Sequence, residues 1–153
     1  MRRISGELLS QHRSEDLIEL LKKPNRFAEC IPGVISYEKL DDRSIRARAR
    51  LDISDAGIPE ISSITSTLTI TLVSMEGNIA RYRVSGKAAG SSYEADLTIR
   101  IEPVDSGSNV IWQADVSLGK LLEILDRFIG VEEIAKRIAD LAIKGAEKCL
   151  ENR

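Results

Sequence analysis

The sequence contains few of the residues that build metal and redox centres. Its 153 residues include one histidine, His12, and two cysteines, Cys30 and Cys149, which lie far apart and form no C-x-x-C pair. Metal sites in proteins need several such ligands at short, regular spacing. We therefore expect no metal and no cofactor. The same spacing favours two separate thiols, as in a reduced intracellular protein, over a disulfide between them.

Long apolar runs are also missing. No stretch of 18 or more uninterrupted apolar residues occurs, and no charged segment followed by an apolar one opens the chain. We therefore expect a cytoplasmic protein without a transmembrane segment. A net charge of -2 and a pI near 5.6 argue against nucleic-acid binding, which usually requires a basic protein or a basic face.

Recognisable catalytic motifs are absent from the chain. The patterns HExxH, GxSxG, GxGxxG and GxxxxGK[ST] do not occur. His12 stands in a polar stretch before a helix start, and a general base would need an oriented partner that the sequence does not show. We expect a surface histidine and a protein that is not an enzyme.

What the chain does contain is one long amphipathic segment near its end. Hydrophobic residues make up 42% of the chain, enough for a single domain over 1–153 that buries roughly 70% of its unfolded surface. Between Leu118 and Leu150 the apolar residues recur with helical period, large in the first half and small in the second, where Ala135 and Ala139 lie. Gly130 and Glu132 interrupt this face, so we expect a kink there. Small residues on a buried face indicate either close backbone approach or space left open.

The middle of the chain has the period of strands instead. From Val34 to Leu118 apolar and polar residues alternate, most regularly over residues 64–72, which indicates strands with one buried face. A further strand is predicted over Arg3–Leu9, followed by two short helices over Ser14–Leu21 and Pro24–Ile31. The fold class is therefore α+β, with a curved antiparallel sheet of seven strands wrapped round the long C-terminal helix.

The turns set the register of the central strands, because only some pairings keep all apolar residues on one face. Turns over 76–78, 89–90 and 105–108 satisfy this requirement together. The predicted opposite residues are Leu72 and Tyr82, Tyr82 and Leu97, Gly86 and Tyr93, Ile101 and Trp112. In this meander Gly57–Pro59, Ala88–Gly90 and Gly119 fall at one end of the sheet, and we expect the sheet and the helix to separate there.

Three stretches indicate a family. They are LKKPNRFAECIPGV at 21–34, GSSYEADL at 90–97 and VIWQADV at 110–116. With the order of elements, they resemble the family of the carbon monoxide dehydrogenase protein CoxG, within the START-like, polyketide cyclase-like (SRPBCC) helix-grip superfamily. The resemblance implies a sheet that grips a helix around an apolar cavity for a lipid, a quinone or a similar molecule. It also implies a link to the maturation or membrane recruitment of molybdenum hydroxylases, and it supplies no catalytic motif.

We therefore predict a carrier or binding protein for a hydrophobic small molecule. The residues predicted to line its cavity are Leu68, Ile70, Tyr82, Val84, Leu97, Ile99, Trp112, Ala114, Phe128, Ala135 and Ala139. Core packing is the other interpretation for Tyr82 and Trp112.

Two further interpretations stay open. An enzyme of the cyclase, aromatase or hydrolase type would need an inward-facing polar group, for which Tyr82, Ser66 and Glu132 are the candidates. The outward row of Arg46, Arg48 and Arg50 is explained either by acids on neighbouring strands or by peripheral contact with an anionic lipid or an acidic protein.

Overall fold

The computed structural model describes residues 2–52, 63–88 and 90–151. The predicted bend at Gly57–Pro59 lies outside these residues. The elements, in chain order, are β1 (Arg2–Ser10), α1 (Ser14–Leu21), α2 (Pro24–Cys30), β2 (Val34–Lys39), β3 (Ser44–Asp52), β4 (Ser63–Glu76), β5 (Ile79–Ala88), β6 (Ser91–Val104), β7 (Gly107–Leu118), α3 (Lys120–Ile129) and α4 (Val131–Glu151).

The described strands form one seven-stranded antiparallel sheet in the order β1-β7-β6-β5-β4-β3-β2. Strands β2 to β7 are a meander, and the chain's first strand closes the sheet by pairing with its last. This arrangement confirms the predicted fold class. Helices α1, α2 and α4 lie on the apolar face of the sheet, which we call the inner face.

The register between β5 and β6 is the predicted one, with Tyr82 opposite Leu97 and Gly86 opposite Tyr93. Leu72 also lies opposite Tyr82, as predicted, but the turn that produces this pairing is different. The structure has a two-residue turn between Glu76 and Ile79, and an extra residue in β4 between Leu72 and Ser74 restores the register.

The predicted pairing of β6 with β7 is wrong by two residues. Ile101 lies opposite Val110, and Trp112 lies opposite Ile99. The chain turns over two residues because Gly107 already lies against the end of β1, where a Cβ atom would come within 2.9 Å of the backbone of Gln11. A shift by two leaves every side chain on its face, since the side-chain period of a strand is also two.

The largest hydrophobic cluster fills the inner face near the turn between β4 and β5. Leu17 and Leu20 of α1, Ile101 of β6 and Ala146 of α4 are buried there. Tyr82 belongs to the same cluster, and its hydroxyl donates a hydrogen bond to a backbone carbonyl at the end of α1. This half of the inner face is therefore a packed protein core.

The long helix is broken at Gly130, which confirms the predicted interruption. Gly130 has φ 69°, a left-handed conformation that favours glycine. The carboxylate of Asp126 in α3 accepts a hydrogen bond from the backbone N–H of Val131 at 2.5 Å and pairs with Arg2. The hydrogen bond lowers the pKa of Asp126 below its usual value, with a smaller effect from Arg2. Asp126 thus joins the two helices and ties them to β1.

Helix α4 approaches α2 closely at Gly145. A Cβ atom at Gly145 would lie 2.9 Å from the carbonyl carbon of Cys30 and from the Cα of Ile31. One helical turn further on, Cys149 forms a disulfide with Cys30, with Cα atoms 5.6 Å apart. The expectation of two separate thiols is therefore wrong. The two cysteines meet because the antiparallel sheet brings α2 and α4 together across a sequence separation of 119 residues.

Within the described residues, no helix is both long enough and apolar enough to cross a membrane.

Candidate functional site

The described strand residues of the predicted cavity lie on the inner face, but they differ in burial. Tyr82, Trp112 and Ala114 are buried. Partly buried members are Leu68, Ile70, Val84, Leu97 and Ile99 on the sheet, and Ala135 and Ala139 on α4. The side chain of Phe128 lies outside those that the structure describes. The structure thus brings most of the predicted residues to one surface.

Trp112 is held mainly by protein groups. Its side chain packs with Ile4 and Ala114, and the small residues Ala135 and Ala139 of α4 lie against the same cluster. A Cβ atom at Gly6, the residue opposite Trp112 on β1, would come within 2.8 Å of the indole ring. Small residues on both sides therefore make room for the indole.

Burial on the inner face falls toward the end of the sheet where β5 meets β6 and β7 meets α3. We call this region the open end, and define it by Ser66, Leu68, Val84, Tyr93, Ala95, Val116 and Leu118. All of these are only partly buried. Val84, Ala95 and Leu118 also take no part in the three hydrophobic clusters. The open end is a mostly apolar surface that the protein itself leaves partly uncovered.

Helix α3 begins beside the open end. The N–H of Gly119 donates to the carbonyl of Ser92 at 2.8 Å, and a Cβ atom at Gly90 would lie 3.5 Å from the side chain of Leu121. This places Gly90 and Gly119 at the same end, as predicted. Leu121 and Ile124 of α3 remain 50% and 48% exposed. Helix α3 therefore reaches the open end without burying its own apolar residues.

The open end contains one pair of polar side chains on the inner face. The hydroxyls of Ser66 and Tyr93 are 2.7 Å apart and hydrogen-bonded to each other. The Tyr93 ring reaches Ser66 across Gly86, where a Cβ atom would lie 2.7 Å from the Tyr93 hydroxyl oxygen. Burial raises the pKa of Tyr93, and the bond to Ser66 opposes this only in part. Tyr93 therefore remains a protonated hydrogen-bond donor at neutral pH.

Ser66 was among the polar candidates proposed from the sequence, but Tyr93 was missed. The signal was present, since the register placed Tyr93 opposite Gly86. An aromatic residue opposite a glycine in an antiparallel pair tends to lie across it. That geometry would have directed the phenol toward Ser66, one strand further on.

The other polar candidates lie elsewhere. The Tyr82 hydroxyl is engaged in the core, and burial raises its pKa well above the usual range. Glu132 is exposed and lies 3.5 Å from Lys136 on the same helix. His12 lies 4.0 Å from Glu151 in a polar region at the other end of the sheet. None of these three groups joins the Ser66–Tyr93 pair.

Two surface clefts of about 480 Å³ each lie near this end. The first is open to solvent and lies on the outer face, among hydroxyl and charged side chains such as Thr67, Ser85 and Glu94; Leu68 borders it from the predicted set. The second lies between β7 and α3, beside Arg2 and Asp126. Both clefts are more polar than the inner face and do not coincide with the predicted cavity.

The outward arginine row lies on β3, near the edge of the sheet. Arg46 stands opposite Glu38 of β2 and Thr69 of β4, and Arg48 stands opposite Ser36 and Thr67. One cross-strand acid therefore faces the row, as the first interpretation expected. All three arginines are exposed.

A seven-stranded meander closed by its first strand, with a long C-terminal helix on its apolar face, defines a START-like helix-grip domain. Solved structures share this fold. A conserved protein from Geobacillus kaustophilus superposes with a TM-score of 0.74 at 18% identity, covering 97% of this chain and 94% of its own. A START superfamily protein from Mycobacterium smegmatis gives 0.61 at 12% identity, covering 99% and 95%. The Zhui aromatase/cyclase from Streptomyces sp. R1128 gives 0.60 at 14% identity, covering 97% and 95%.

The sequence itself places the chain in a family. Residues 6–152 match the profile of the carbon monoxide dehydrogenase protein CoxG. The protein therefore belongs to the carbon monoxide dehydrogenase CoxG family, as its motifs indicated. No curated protein sequence matches the chain.

Proposed function

We propose that the protein binds and carries a hydrophobic small molecule on the inner face of its sheet, at the open end. The observation that carries this proposal is the incomplete burial of Val84, Ala95 and Leu118, which face inward and join no hydrophobic cluster. Inward-facing apolar side chains of a folded domain are normally covered. Covering them with a ligand would contribute about 25 cal/mol per Å² of apolar surface removed from water.

The neighbouring helix supports a route to this surface. Leu121 and Ile124 keep about half of their surface exposed beside the open end. An apolar ligand could therefore pass along apolar side chains between α3 and the sheet. The two glycines that flank α3, Gly119 and Gly130, separate it from β7 and α4.

We propose binding without catalysis. In the described residues, the groups that a cyclase or hydrolase could use are engaged elsewhere. Tyr82 is hydrogen-bonded in the core, and Glu132 is exposed beside Lys136. The hydroxyls of Ser66 and Tyr93 are neutral at physiological pH, so they suit ligand orientation better than proton abstraction.

The experiment uses N-phenylnaphthylamine, whose fluorescence rises in apolar surroundings. The wild type is expected to bind it saturably. In Ala95→Phe a bulky ring occupies the open end, and the affinity should fall about tenfold or more, because overpacking costs about 1–3 kcal/mol and 1.4 kcal/mol is tenfold. Glu94→Phe is the matched control, since its side chain points from the same strand to the outer face. Equal losses in both variants, or no saturable binding by the wild type, would contradict the proposal.

Membership of this family supports a second part of the proposal, that the protein serves as an accessory to a molybdenum hydroxylase. Size-exclusion chromatography of an equimolar mixture with a purified molybdenum hydroxylase from the same host would test it. A shared peak supports the pairing. Two separate peaks, with and without added apolar ligand, would refute it.

A further inference from the structure

The hydroxyl pair at the open end has one proton more than its own hydrogen bond uses. Ser66 and Tyr93 carry one O–H each, and the bond between them consumes one of the two protons. Among the described residues, no third group is hydrogen-bonded to either hydroxyl. The pair can therefore donate one further hydrogen bond, whichever of the two oxygens keeps the free proton.

The surroundings of the pair are apolar and leave space for a partner. Leu68 lies next to Ser66 on the same face of β4, and Val84 and Ala95 lie on the neighbouring strands. Both hydroxyl-bearing residues are only partly buried. A donor in such surroundings is worth most when an acceptor covers it, because the same coverage excludes water from both groups.

We propose that the Ser66–Tyr93 pair is the polar anchor of the binding site, and that the ligand is an apolar molecule held by one carbonyl or hydroxyl oxygen. This inference rests on the proposed function and adds the chemical class of the ligand. An uncharged oxygen fits, since no basic side chain faces the pair on the described inner face of β4, β5 and β6. The apolar part of the ligand then extends over Val84 and Ala95, away from the hydroxyls.

The closing experiment compares two probes of nearly equal shape, acetylnaphthalene and ethylnaphthalene. They differ in a carbonyl oxygen at one position, and their dissociation constants are measured by calorimetry. The ratio of the two constants cancels the burial of the naphthalene ring. The measured quantity is the change in this ratio between the wild type and the variants.

The double variant Ser66→Ala/Tyr93→Phe keeps the aromatic ring over Gly86 and removes both hydroxyls. It should bind ethylnaphthalene as the wild type does. Its preference for acetylnaphthalene should fall about two- to tenfold, the usual net range for one hydrogen bond. Ser85→Ala is the control, because it removes a hydroxyl from the outer face of the neighbouring strand. Thermal unfolding of each variant checks that the fold is retained.

The two proposals fail in different ways. If both probes bind the wild type and the double variant leaves the ratio unchanged, the anchor is refuted and the binding function stands. If neither probe binds the wild type, the binding function and the anchor are refuted together. If Ser85→Ala changes the ratio as much as the double variant does, the effect does not come from the inner face, and the anchor is refuted.

Discussion

The contact between α2 and α4 at Gly145 allows a prediction whose sign separates two causes. In an exposed helix interior, replacing glycine by alanine stabilises the fold by about 1 kcal/mol. At Gly145 the new methyl group would lie 2.9 Å from two backbone atoms of α2, whereas ordinary contacts of this kind begin at 3.4 Å. The helices must then separate by about half an ångström or more. Gly145→Ala should therefore destabilise the protein.

The expected magnitude follows from the two opposing terms. Overpacking a tight contact costs about 1–3 kcal/mol, and the upper half of that range applies because backbone atoms of Cys30 and Ile31 cannot rotate away. After subtraction of the helix-propensity gain, we expect a net loss of about 1–2 kcal/mol. In a domain of this size 1 kcal/mol lowers Tm by about 2–4 °C.

The disulfide one turn beyond Gly145 should increase the penalty. Cys149 is bonded to Cys30, so α4 cannot move away from α2 without distorting this link. In a Cys149→Ser background the helices are free to separate, and the cost of Gly145→Ala should be smaller. The difference between the two backgrounds measures the coupling between the link and the contact.

The assay is guanidinium unfolding of each variant, followed by the fluorescence of the single tryptophan, Trp112, and by circular dichroism. Lys144→Ala and Lys144→Gly form the matched control, because residue 144 is exposed on the same helix turn. Their difference gives the propensity gain without a clash. If Gly145→Ala stabilises the protein by that same amount, the close approach of α2 and α4 is wrong.

Two further predictions concern groups that join distant elements. Asp126→Ala should cost about 1 kcal/mol in urea unfolding at neutral pH, because the first N–H of α4 loses its acceptor. The lowered pKa of Asp126 makes this contribution fully present above the carboxyl's ordinary value near ~4 and lost as pH falls through the lower folded value, so wild type and variant should converge in acid; an unchanged difference would refute the role. Cys149→Ser removes a link between residues 119 apart, for which the chain-entropy model gives roughly 5 kcal/mol as an upper value and measured cases about 2–4 kcal/mol. Unfolding of the wild type with and without reductant checks this, and identical curves would contradict a link between Cys30 and Cys149.

Much of the fold could be predicted from residue alternation. The inner or outer face of a strand residue depends only on its position along the strand, so Leu68, Tyr82 and Leu97 were placed on one face without any knowledge of the turns. The error at the turn between β6 and β7 shows why this worked. The predicted pairing moved Trp112 by two residues along its strand and left it on the same face.

The candidate site was less accessible to prediction. Its apolar residues followed from periodicity, but the partner of Ser66 did not, because the Ser66–Tyr93 bond crosses Gly86 and joins strands that are not neighbours. The disulfide was missed for a similar reason, since 119 residues of sheet and turns separate its cysteines.

The sequence by itself determined which side chains face inward, because alternation and helical period are local properties of a strand or a helix. Only the tertiary structure decided which of them are covered. Tyr82 is buried because α1 and the C-terminal half of α4 pack over that part of the sheet, whereas Val84, two residues further along the same strand, is only partly buried. Coverage depends on where the helices lie, and that follows from the break at Gly130 and the close approach of α4 to α2 at Gly145.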